Sequence, residues 1–179
     1  TVKELFDDLH AYPNAAILSG GHSLVSLLKT GAINPDVIIS TDKIKSFKEI
    51  EEETDGSFLI GSSVPLSALL DHSSIGTRFP ALREAIKNIG DRQYCNQTSI
   101  GDEFSYQGSS MGVLAVLLSY GAEFHYSKGS ETIKITNPLE KPKQAILSSI
   151  QLKLVNGTTQ VREIKDPVSC LPLCGVAAQ

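Results

Sequence analysis

Apolar positions recur along this chain with two periods, helical at the start and mostly two-residue afterwards. Val2, Leu5, Phe6 and Leu9 stand three and four apart, and Thr1 with Glu4 has the Thr-x-x-Glu spacing of a capping box. Together they predict a surface helix over 2–11. The run AAIL at 15–18 predicts a short buried strand that leads into Gly20-Gly21. Helical spacing returns over 23–29, with Gly31 where a C-terminal glycine cap belongs. PDVIIS at 35–40 is a second strand. Strand, helix and strand in so short a span make a βαβ unit with parallel strands.

From Phe47 onward strand-like runs dominate: FKEIEEET, SFLIGSS, AEFHYS, ETIKIT, AILSSIQLKL and TTQVREIK. Asp55-Gly56, Lys128-Gly129 and Asn156-Gly157 fall between them as hairpin signals. Helices are predicted at 66–70, at 81–89 closed by Gly90, and at 110–120, a segment apolar nearly all round and so expected in the core. The sum is an α+β chain with a small parallel βαβ lobe over 1–54 and a larger lobe, helices on an antiparallel sheet, from 55 to about 165.

Composition narrows the function classes. A chain of 179 residues, 41% hydrophobic and 20% charged, is that of a folded globular protein. A net charge of -4 with scattered Lys and Arg provides no basic face for nucleic acid. No apolar stretch reaches the ~20 residues of a membrane span. No charged-then-apolar leader is present, so a cytoplasmic setting is expected. Cys95, Cys170 and Cys174 are an odd number, a poor disulfide framework that fits a reducing compartment. No Cys or His spacing makes a metal site. Both ends read as cut, since no Met opens the chain and it stops in the apolar LPLCGVAAQ.

Two loops carry candidate chemistry. Ser19, Gly20, Gly21, His22 and Ser23 lie between a buried strand and a helix start, where free N–H groups and the helix dipole attract anions. Ser23 is placed to cap that helix or donate to a phosphate oxygen. A plain steric turn explains the two glycines equally well. The second candidate is the long polar connection NIGDRQYCNQTSIGDEFSYQGSS, which runs into the apolar helix over 110–120.

These segments resemble, in order, the FAD-binding domain of the molybdenum hydroxylases, the flavin subunit of carbon monoxide dehydrogenase and the middle domain of xanthine dehydrogenase. LSGGHSLVSLLKTG, NPDVIIS, FLIGSSVPLSALL, FPALREAIKNIGDRQYCNQTSIG and LLSYGAEF carry the resemblance, and DPVSCLPLCGVAA is similar to the start of the C-terminal domain that follows in the family, here 166–179. The resemblance implies the two-lobed PCMH-type fold with FAD between the lobes. It implies electron transfer from [2Fe–2S] clusters of a small subunit, fed by a molybdopterin-binding large subunit, to an external acceptor, with no side chain needed as acid or base. The FAD pyrophosphate is then held by Ser19, Gly20, Gly21, His22 and Ser23, and by a second loop that reads Thr-Ile-Gly-Gly-Asn in the family. Here that loop is Ser99, Ile100, Gly101, Asp102 and Glu103, and Gly112 stands where the family has an Asp on the adenosine part of FAD. A carboxylate about 5 Å from a phosphate charge costs roughly 3 kcal/mol at an effective dielectric near 20. Three readings follow: Asp102 and Glu103 face solvent and backbone N–H groups hold FAD; FAD has been lost and a scaffold for partner subunits remains; or a less anionic ligand binds.

Overall fold

Thr1 opens helix α1 (Val2–Ala11) as its spacing predicts: its Oγ1 accepts from the Glu4 amide at 3.3 Å, and its ammonium donates to Glu4 Oε2 at 2.7 Å. In the computed structural model, which describes residues 1–105, 111–154, 157–165 and 172–178, this helix buries Leu5 and Phe6. Leu5 packs with Ile44 and Phe47 in a small cluster beneath the first lobe. Strand β1 (Ala15–Leu18) runs parallel to β2 (Val37–Ser40), Ala15 opposite Val37 and Leu18 opposite Ser40. Helix α2 (His22–Lys29) makes the crossover. Gly31, at φ +69°, takes the left-handed turn after it that the sequence assigns to a glycine.

The second lobe is one antiparallel sheet of five strands in the order β3-β4-β7-β5-β6. They are β3 (Ile50–Glu52), β4 (Phe58–Gly61), β5 (Glu123–Lys128), β6 (Glu131–Ile135) and β7 (Ile146–Leu152). Glycines in left-handed conformation turn two of the predicted hairpins, Gly56 between β3 and β4 and Gly129 between β5 and β6. Between β4 and β5 come helices α3 (Leu66–Asp71), α4 (Ser73–Arg78), α5 (Pro80–Ile89), α6 (Arg92–Gln97), α7 (Asp102–Ser105) and α8 (Met111–Ser119). Their apolar sides meet the sheet in a single core that includes Phe58, Ile60, Phe79, Leu82, Ile86, Leu117, Phe124 and Ile150. Val113, Val116 and Leu117 of α8 are fully buried, and Leu118 is its solvent-facing position, 39% exposed. The architecture is the two-lobed α+β one expected.

The third hairpin is a correction. The sequence places Asn156-Gly157 between two paired strands, but β7 pairs with β4 and β5. Strand β8 (Gln160–Lys165) pairs antiparallel with β9 (Pro172–Ala178) in a separate two-stranded sheet beside α8. Asn156 and Cys170 lie outside the described residues, and Cys95 is buried. The run FKEIEEET yields only the three residues of β3. Helix α4 stands where the sequence predicts no element, and α6 lies within the stretch read as a polar connection. The polar sequence of α6 has no apolar period, but Asp91 caps it, accepting from the Tyr94 amide at 2.8 Å. Among the described residues no helix is long and apolar enough to cross a membrane.

His125 on β5 carries a pH dependence. Its ring is 7% exposed, Nδ1 sits 3.4 Å from Ser149 Oγ, and Nε2 is 3.9 Å from Glu123 Oε2. Burial, with Lys134 adding to it, pushes the imidazole below its ordinary value, against the opposing pull of Glu123 and Glu53. The unfolded chain therefore takes up the proton first. This stability is present above the unfolded value of about 6.5 and is lost as pH falls. The urea midpoint is expected to drop between pH 7 and pH 5, and His125→Gln to flatten that part of the profile; an equally steep profile in the variant would assign the effect elsewhere.

Candidate functional site

Both candidate loops leave an edge of their lobe and meet. The first starts at the C-terminal end of β1, where Leu18 accepts from the Thr41 amide at 2.9 Å, and turns through Gly20 and Gly21 into α2. Gly21 is the N-cap of α2 at φ +100°, a conformation glycine adopts without strain, and no side chain caps the helix. Of the two roles the sequence leaves open for Ser23, capping is corrected: the left-handed turn leaves Ser23 inside the helix, half-buried. His22 is exposed, its ring edge-on to Tyr94 of α6 at 4.4 Å.

The second loop is tied to the end of β4 and the start of α3. Leu66 N donates to Thr98 O at 2.9 Å, Ile100 N to Val64 O at 2.9 Å and Gly101 N to Ser62 O at 2.8 Å. Ile100 is fully buried and anchors the loop in the core. Glycine is required at Gly101 because a Cβ there would come within 2.6 Å of Ser62 O.

The loops approach closely because Gly20 has no side chain. A Cβ at Gly20 would lie 2.2 Å from Gln97 O, 2.5 Å from Asp102 Oδ2 and 2.7 Å from Ser99 N. Across the junction runs a row of hydroxyls from four segments. Ser19 Oγ lies 2.9 Å from both Ser63 Oγ and Ser99 Oγ, and Ser63 Oγ lies 2.9 Å from Thr41 Oγ1. Thr41 Oγ1 in turn donates to Leu18 O at 3.2 Å. The sequence reading missed Thr41 and Ser63, which no motif marks. A cleft of about 220 Å³ opens beside this row, lined by Ser19, Thr41 and Ser63 on its polar side and by Ile17, Phe104 and Tyr126 on its apolar side.

Asp102 is at the centre. Its Oδ2 accepts from Gly21 N and from Ser99 N, each at 3.2 Å, so one donor of each loop ends on the same oxygen. The residue is 5% exposed, and burial raises its carboxyl above the ordinary value, opposed by the donors of Ser99, Gly21 and Gly20. Glu103 is also buried, and its Oε1 accepts from Tyr94 Oη at 3.2 Å. The reading in which both carboxylates face solvent is corrected: Asp102 turns into the junction, where an amide of each loop donates to it, and Glu103 is buried beside it. Gly112 lies in α8, where a Cβ would come within 1.9 Å of Glu163 Oε1, so a side chain where the resemblance expects an Asp requires the Glu163 carboxylate to swing aside.

Comparison with known proteins gives the family and the fold. Residues 1–155 match the family described as FAD binding domain in molybdopterin dehydrogenase. The glyceraldehyde dehydrogenase medium chain of Sulfolobus acidocaldarius is 23% identical over 165 residues, 88% of this chain and 58% of that one. The carbon monoxide dehydrogenase medium chain of Hydrogenophaga pseudoflava is 31% identical over 93 residues, 52% of this chain and 32% of that one. Among solved structures, quinoline 2-oxidoreductase from Pseudomonas putida 86 superposes with a TM-score of 0.90 at 14% identity, covering 99% of this chain and 65% of that one. Carbon monoxide dehydrogenase from Hydrogenophaga pseudoflava lacking the Mo-pyranopterin moiety gives 0.85 at 22% identity, with the same coverage. The chain spans less than two thirds of the length of each of these proteins.

Proposed function

The chain belongs to the family of FAD-binding domains of molybdopterin dehydrogenases, and on that premise we propose that it is the flavin-bearing medium component of a molybdenum hydroxylase complex in the cytoplasm. In this reading it takes electrons from the [2Fe–2S] clusters of a small partner subunit, which a molybdopterin-binding large subunit supplies, and passes them to an external acceptor. The observation that carries it is the convergence of the loops at 19–23 and 99–103 on one anionic oxygen, through one amide from each.

The donor set suits a phosphate. Backbone N–H groups at the start of an eight-residue helix, beside glycines that let a ligand come close, are an anion site of the kind that holds pyrophosphate. The Asp102 carboxylate is the anion that stands in for a phosphate oxygen there. FAD, when bound, supplies the redox chemistry. The amides of Gly20, Gly21 and Ser99 would hold its pyrophosphate, and the hydroxyl row offers further donors along the same edge. Ile17, Phe104 and Tyr126 give the adjoining cleft an apolar lining. No residue of the site is asked to move a proton.

Purified chain incubated with FAD and freed of excess by gel filtration is expected to retain flavin absorbance in proportion to protein, either as wild type or once Asp102 is replaced by glycine. Flavin missing from both proteins, each folded by circular dichroism, removes the reading.

A further inference from the structure

We propose that Asp102 is an internal anion that closes the two-loop cradle, so that a ligand phosphate must displace the Asp102 carboxylate to reach the backbone donors. The proposal rests on the reading of these loops as the pyrophosphate site, and it concerns how that site is held before a ligand arrives.

Three observations carry it. Asp102 Oδ2 takes one amide from each loop, Gly21 N and Ser99 N, at 3.2 Å. A hydrogen-bonding proton cannot be shared fully by two strong acceptors, so a phosphate oxygen and this carboxylate compete for the same pair. The space is also single: Oδ2 lies where a Cβ on Gly20 would be 2.5 Å away, against the backbone a pyrophosphate has to approach. Finally, the residue is nearly fully buried and sits at the start of α7, with its own amide 3.3 Å from Ser99 Oγ. The carboxylate is thus a built part of the junction rather than a surface side chain resting near it. Two anions at this spacing repel, and the low-dielectric setting strengthens that repulsion. Glu103 does not share the role, because Tyr94 Oη engages its carboxylate on the α6 side.

Removing the carboxylate should therefore leave a cradle with donors and no acceptor, which an added anion can fill. The test compares wild type, Asp102→Gly and Asp102→Ala, neither of which carries a side-chain acceptor, the last keeping the Cβ in case the glycine variant does not fold. Inorganic pyrophosphate, at ionic strength matched with potassium chloride, is expected to raise the melting temperature of the variants and leave wild type unmoved. Amide exchange at Gly21 and Ser99 is expected to be slow in wild type without ligand, and slow in the variants only with pyrophosphate present. FAD is expected to bind Asp102→Gly at least tenfold more tightly than wild type. Equal pyrophosphate and FAD binding by wild type and variants overturns the closed cradle while leaving the flavin reading intact. No response to pyrophosphate in any folded variant overturns it as well. A pyrophosphate response confined to the variants, with no FAD uptake by any of them, supports the closed cradle and sinks the flavin reading instead.

Discussion

Alanine at Gly20 is expected to destabilise the protein by about 3 kcal/mol, the upper end of the usual cost of overpacking, and to abolish retention of FAD. The added methyl meets backbone on two sides, Gln97 O at 2.2 Å and Ser99 N at 2.7 Å, and backbone cannot rotate away as a long side chain does. The loops must then separate, and the amides of Gly21 and Ser99 no longer point at one place. Gly31→Ala is the matched control. It also adds one methyl, but nothing lies within 4 Å, so its cost is the left-handed strain alone, about 1 kcal/mol. Urea unfolding of the two variants at unchanged slope, beside gel-filtered flavin content, reads both effects. A Gly20→Ala protein as stable as Gly31→Ala would mean that the loops do not touch.

The second large effect lies in the core. Phe79 precedes α5 and is fully buried, with the Phe58 ring at 6.1 Å and the Tyr120 ring at 5.1 Å, both edge-on. It joins β4, the helical layer and the end of α8. Truncation to alanine removes a large apolar surface and both ring pairs where close packing prevents collapse, so Phe79→Ala is expected to cost about 3–5 kcal/mol. Phe79→Leu, which keeps most of the volume, should recover over half of that. Equal losses in the two variants would show that the site relaxes around either side chain, against the packing described.

The first lobe was legible because its information is local. Apolar runs at 15–18 and 35–40, a helical period between them and two glycines specify β1, α2 and β2 without reference to distant residues. The same held for the hairpins at Gly56 and Gly129, where the turn and both strands are neighbours. Pairing over longer spans was not legible: nothing in TTQVREIK says that its partner is the segment at 172–178 rather than β7. Helix α6 was hidden because Arg92, Gln93, Asn96 and Gln97 give no apolar stripe, and only its cap at Asp91 marked it. At the site, the loop positions could be read, but not the direction of a side chain. Whether Asp102 faces water or the loops depends on where Gly21 and Ser99 come together, and Gly21 and Asp102 are 81 positions apart along the chain. Thr41 and Ser63, hydroxyls just past the ends of β2 and β4, become part of the site only through that same meeting.

The hydroxyl row has one further consequence, which follows from counting its protons. Thr41 gives its proton to the Leu18 carbonyl, so it must receive from Ser63. Ser63 has then spent its proton and receives from Ser19, which in turn receives from Ser99. Ser99 Oγ itself accepts from the Asp102 amide. Each oxygen gives once, and the bonds all run one way, from the head of α7 to the last carbonyl of β1. Aligned dipoles of this kind polarise one another along the line. The two lobes are therefore joined by a directed wire, with the amide of the residue that closes the cradle at one end and the strand that begins the glycine loop at the other.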